Sequence, residues 1–165
     1  MKKITCIIAI SGLLLFAACK PESLKDYQSF SAVNLSSFQG TWKISKVTQS
    51  DEDSKRKLFP YKTLDLTTSL NLTDIALTLN TASAAPAGFT FNYGTAPKVF
   101  KITSGSWILD DINKPGKLSL INGTDTVKFT LGAYSQLANK KLVLKQIKSL
   151  GGTAMVTYDY EFSKN

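Results

Sequence analysis

The stretch VTYDYEF, residues 156–162, alternates without a break: Val156, Tyr158, Tyr160 and Phe162 against Thr157, Asp159 and Glu161. Side chains of an extended chain leave it on alternate faces, so this pattern predicts a strand with one buried and one wet face. The same period of two recurs upstream. Trp42 and Ile44 carry it first, then Ile75, Leu77 and Leu79, then Phe89, Phe91 and Tyr93. Phe100 and Ile102 run on to Trp107 and Leu109, with Gly105 read as a bulge between them. Leu118 and Leu120 follow, then Val127, Phe129 and Leu131, then Leu142 and Leu144. The alternation template thus gives about eight strands. Asn122-Gly123 and Gly151-Gly152 are hairpin turns, Lys114-Pro115-Gly116 is another turn, and the Ala/Pro stretch 82–87 reads as a flexible loop. No interval has room for a set of crossover helices, so the strands are expected to be antiparallel. A sheet with one apolar face closes on itself or faces a second sheet.

One segment resists this reading. Residues 58–74 carry Leu58, Phe59, Tyr61, Leu64, Leu66, Leu70 and Leu72 with no clear period. A short strand, a helical turn and a flap across one end of the sheet all fit; as a flap it would cover the open end of a barrel. A charged loop, Asp51-Glu52-Asp53 and Lys55-Arg56-Lys57, precedes it.

The amino terminus gives an address. Lys2 and Lys3 are followed by an apolar run over residues 4–16 and by Ala17-Ala18-Cys19. A basic start, an apolar middle and small residues form an export signal. The run is shorter than the ~20 residues that span a bilayer as a helix. With Cys directly after the small pair, the segment resembles the lipobox signals of bacterial lipoproteins. That resemblance implies cleavage before Cys19 and acylation of it. Residues 1–18 are then a signal peptide, 19–36 a polar, Ser-rich lipid-anchored tether, and 37–165 the folded domain. Lys20 is not the acidic residue that retains some lipoproteins at the inner membrane, so the expected place is the outer membrane, on either face.

Composition removes several function classes. Loss of Lys2 and Lys3 lowers the formal charge from +8 to +6, and Arg56 is the one arginine. Nucleic-acid readers rely on arginine forks, so no nucleic-acid partner is expected. The chain has no His, and its two cysteines are Cys6, in the signal, and Cys19. This leaves no thiolate, no disulfide framework and no imidazole base or ligand in the domain. Carboxylates are the remaining chemistry. Asp110 and Asp111 could form an acid pair or a calcium site only if the chain turned there, and a solvated strand end is the plainer reading. No cofactor, metal or catalytic residue is assigned.

Gly40-Thr41-Trp42-Lys43 is similar to the G-x-W signature at the first strand of lipocalins. Gly105-Ser106-Trp107-Ile108-Leu109-Asp110-Asp111 resembles a second element of the lipocalin-like domains of bacterial lipoproteins. The resemblance implies an all-β, antiparallel up-and-down barrel of about eight strands with space for one small ligand. It makes Gly40 and Trp42 a structural plug at the closed end. Lipocalins stack a late arginine on that Trp; with none after Arg56, Lys145 or Lys148 stands in for it. Phe89, Phe91, Tyr93, Trp107, Tyr158 and Tyr160 occupy apolar faces and either line a ligand pocket or fill the barrel, and small barrels are usually filled. The expected function is a non-enzymatic envelope lipoprotein that binds a small apolar molecule or a glycan. The alternative is a solid barrel that docks an envelope protein partner through loops such as 82–88 or 132–139. A carboxylate hydrolase ranks behind both.

Overall fold

The computed structural model describes residues 34–60, 62–133 and 135–164. The signal 1–18, Cys19, the tether up to residue 33, and Tyr61 lie outside the described residues. Nine strands run in chain order: β1 (Gly40–Asp51), β2 (Thr63–Asp65), β3 (Ala76–Ala82), β4 (Ala85–Asn92), β5 (Ser104–Leu109), β6 (Lys117–Asn122), β7 (Asp125–Leu131), β8 (Lys141–Leu150) and β9 (Thr153–Lys164). Each of β3 to β9 pairs antiparallel with the next, β1 pairs with β3, and β9 returns to β1. The result is a closed, eight-stranded, up-and-down antiparallel barrel, with β2 as an addition to its wall.

Apolar residues alternate into the interior. Trp42, Leu77, Leu79, Phe89, Trp107, Leu118, Leu120, Phe129, Leu144 and Phe162 are all essentially inaccessible. Closure pairs most of the sheet's edges, leaving β7 and β8 to part beyond Thr130 and Lys145, and so limits edge-to-edge pairing. The Asn122–Asp125 and Leu150–Thr153 hairpins turn as expected, through Gly123 (φ 58°) and through Gly151 and Gly152 (φ 56° and 80°).

Three expectations need correction. The stretch 82–87 is no loop: Ser83 and Ala84 form a tight turn, both with positive φ (49° and 57°), and β4 starts at Ala85. Pro86 is tolerated in β4 because the β4–β5 ladder begins only at Gly88. Phe100 and Ile102 do not lie on a strand. They belong to the irregular β4–β5 connection, 93–103, and enter the barrel from it, 4% and 3% exposed. Gly105 is not a bulge: the β4–β5 register runs through it without a shift, and the β5–β6 register begins at the next residue, Ser106. The irregularities are elsewhere, between Ile44 and Lys46, Leu79 and Thr81, and Lys148 and Ser149.

The aperiodic segment is now explained. β9 covers one edge of β1 along most of its length. On the other edge, β3 takes the first part (Gly40–Lys43) and β2 takes the last (Thr48–Ser50). The β1–β3 connection is therefore partly wall. It opens with a short helix, Glu52–Arg56, capped by Asp51, and closes with a 3-10 turn, Leu72–Asp74. Between them the Leu66 N–H donates to the Val47 carbonyl and the Val47 N–H to Thr67 Oγ1, both at 2.9 Å. A second short helix, Ser135–Ala138, interrupts the 132–139 connection.

Candidate functional site

The two ends of the barrel differ. At the closed end, Trp42 is fully buried and its indole N–H donates to the Phe38 carbonyl at 2.7 Å. Trp107 does the same to the Asn80 carbonyl, also at 2.7 Å, and its ring lies 5.9 Å from that of Phe38. Both large rings thus bury their apolar area while their one donor is satisfied. The cation over Trp42 is Lys164, whose Nζ is 5.1 Å from the ring centroid and also donates to the Ser37 carbonyl at 3.4 Å. This corrects the choice of Lys145 or Lys148. Lys145 pairs with Asp159 at 3.3 Å, and Lys148 sits at the opposite end. The signal for Lys164 was present: it continues the Tyr160–Phe162 face of the last strand by two residues, and closure sets it opposite Trp42. Gly40 has φ 119°, and a Cβ there would lie 2.8 Å from Lys164 Cε. The glycine both permits the backbone angle and leaves room for that lysine.

Above this plug the interior is filled by rings. Phe91 and Phe100 stack at 4.8 Å, and Phe100 contacts Phe129 (5.5 Å) and Tyr160 (5.1 Å). Phe89 lies edge-on to Phe91, and Phe91 tilts against Tyr93. Of the six aromatic candidates, Trp107 belongs to the closed end, and Phe89 and Phe91 to the packed middle. Tyr93, Tyr158 and Tyr160 form the upper layer.

Two adjoining hollows remain at the open end. The first, about 360 Å³, lies between the β1–β3 connection and β8–β9. Val47, Leu66, Leu70, Val99, Tyr158 and Tyr160 give it apolar walls, and Gln49, Gln146 and Lys148 add polar groups. The second, about 540 Å³, is a slot in the barrel side. It exists because β7 and β8 share only the register pairs Thr130↔Lys145 and Leu131↔Leu144 before they diverge. Asp125–Lys128 and Gln146–Lys148 form its sides, and Val99–Ile102 its floor. Both volumes fall in the range of small-molecule sites.

Electrostatics marks the same place. Burial pushes the Tyr160 phenol well above its ordinary pKa, and the neighbouring Tyr158 and Tyr93 phenols push it further. Burial also raises Tyr93, against the opposing bond to the Phe100 carbonyl. Both stay neutral donors at physiological pH. Tyr160 is 5% exposed and borders the first hollow. Gln49, Gln146 and Val99 were not singled out from the sequence, and Lys148 was named there only as a cation over Trp42. Gln146 and Lys148 continue the inward register of Leu142 and Leu144, which a count along β8 would have revealed.

The carboxylates are occupied elsewhere. Asp110 Oδ1 accepts from the N–H groups of Asp111, Gly116 and Lys117 at 3.0, 2.8 and 2.8 Å. Led by the Lys117 N–H, these bonds hold its carboxyl below the usual range. Asp111 Oδ1 accepts from Asn113 and Lys114 at 2.7 and 3.1 Å. The pair fastens the β5–β6 turn. Glu52 and Asp53 pair with Lys55 and Lys57 on their own helix. No protein-family model matches the chain, and no curated protein matches it.

Proposed function

We propose that the protein is a non-enzymatic lipoprotein of the bacterial outer membrane, similar to lipocalin-like domains, whose barrel binds a small apolar molecule at its open end. The observation that carries this reading is the mostly apolar hollow of about 360 Å³ at the mouth of a barrel otherwise filled to its axis. Filling supplies the stability, and the one unfilled end supplies the site. A neutral environment-sensitive dye, Nile red, tests it. The dye is expected to bind with a blue-shifted emission. Leu70→Glu, on a wall residue that is 43% exposed and so replaceable without unfolding, should weaken binding about tenfold or more, the worth of one buried leucine contact. Absence of dye binding to the folded protein would remove the reading.

The membrane part has its own test. Cys19→Ala should move the exported protein wholly from the membrane to the soluble fraction, since stable attachment requires the acyl chains. Membrane retention of that variant would overturn the anchor.

A second reading rests on a different observation. Leu58, Phe59, Leu64 and Leu150 are 82%, 53%, 56% and 75% exposed. Apolar side chains so exposed suit an interaction module that docks an envelope protein at this end. Cross-linking in the native envelope would capture that partner through these four positions, and dye binding would then be absent.

A further inference from the structure

We infer that the molecule bound at the open end is an amphiphile with an anionic head, a carboxylate or a phosphate monoester; the inference rests on the apolar-binding reading above. The two hollows are continuous in their lining. Val99, Gln146 and Lys148 border both. An apolar tail lying on Val47, Leu66, Leu70 and Tyr158 therefore has its other end beside Lys148. That lysine follows Leu142, Leu144 and Gln146 on the inward register of β8, opposite Val156. A strand face that is apolar below and ends in an amide and an ammonium has the polarity order of an amphiphile.

The side slot continues the trend. Lys101 and Lys128 line it with Lys148, and Asp125 is the one acid among its lining residues. None of these three lysines is in an ion pair among the described residues, whereas Lys55, Lys57 and Lys145 each are. Three cations to one anion around a recess leave a net positive field in a partly enclosed space, which attracts an anion. Tyr160 adds a second kind of donor. Its phenol, on a residue that borders the first hollow together with Lys148, is a neutral hydrogen-bond donor in that lining. A carboxylate or phosphate oxygen accepts from a neutral phenol and from ammonium groups at once, by charge-assisted bonds that an alcohol head cannot match.

Displacement of Nile red by three chains of one length tests this: dodecanoate, dodecyl phosphate and 1-dodecanol. At least one of the two anions is expected to bind about tenfold or more tightly than the alcohol, and the gap should narrow as salt is raised. Lys148→Gln, at an exposed position bordering both hollows, should weaken the anions far more than dodecanol and so remove most of the gap. Tyr160→Phe should reduce the same gap while the fold, checked by circular dichroism, is kept. Equal affinity for all three chains would overturn the anionic head and leave apolar binding intact. Failure of every chain to displace bound dye would overturn both. A preference that persists in Lys148→Gln and Lys101→Gln combined would also overturn the proposal, because the head would then lie elsewhere.

Discussion

Gly105→Ala is expected to remove on the order of 4 kcal/mol of the fold's stability. The glycine has φ 151°, and a Cβ built on it would lie 2.0 Å from the Ile121 carbonyl oxygen and 3.1 Å from the Phe89 ring. The first neighbour is the backbone of β6 and cannot rotate away. Strain at such a φ costs about 1–3 kcal/mol in a residue with a side chain. Overpacking typically costs a further ~1–3 kcal/mol, and here β5 must part from β6 to make room. A total on the order of 4 kcal/mol is a large share of the ~5–15 kcal/mol that separates folded from unfolded domains. Urea denaturation followed by circular dichroism reads it directly. A midpoint shift worth less than about 1 kcal/mol would mean that β5 and β6 are not as close as described.

The second large effect is that of Trp42→Ala. The ring is fully buried, and removal of a buried Trp or Phe costs about 3–5 kcal/mol in lost transfer energy and cavity. The variant also strands the Phe38 carbonyl, which accepts from the Trp42 indole at 2.7 Å, and takes the ring from beneath Lys164. Trp42→Phe separates these effects. It keeps most of the ring and loses only the N–H, so the expected cost falls to the ~1–3 kcal/mol of one unsatisfied buried acceptor. Fluorescence of Trp107, the remaining indole in the barrel, reports both transitions. Equal stability of the two variants would mean that the ring itself contributes nothing to the plug.

The fold was legible where one face of a strand is buried and the other wet. β3, β4 and β9 read correctly because Leu77–Leu79, Phe89–Phe91 and Tyr158–Tyr160–Phe162 each keep to one face. Phe100 and Ile102 misled for a definite reason. Two apolar residues spaced by two in a loop that dips into a barrel look like a strand, and nothing local distinguishes them. Residues 58–74 gave no period because they alternate between tasks: Leu64 is in wall, Leu66 and Leu70 border the hollow, and Leu72 is core. The candidate site was legible only in part. Tyr158 and Tyr160 were named, but their partners come from β1, β8 and two connections, and long-range register decides which meet. The slot between β7 and β8 leaves no mark in either strand, because divergence of two strands is a property of the pair. The tight Ser83–Ala84 turn was hidden because neither residue is one that favours positive φ.

That divergence sets how the cylinder comes apart. β8 and β9 are joined by ten register pairs, but β7 and β8 by two and by the bond from the Gly132 N–H to the Val143 carbonyl. The seam there is the shortest in the wall, so unrolling starts at it, and amide exchange should be fastest along its free margins. A rolled sheet with a loose margin invites a second copy to zip onto it. Lys128 and Lys148 stand on the two margins, and like charges brought face to face by such pairing would repel. The same ammonium groups therefore guard the protein's solubility while its seam is ajar.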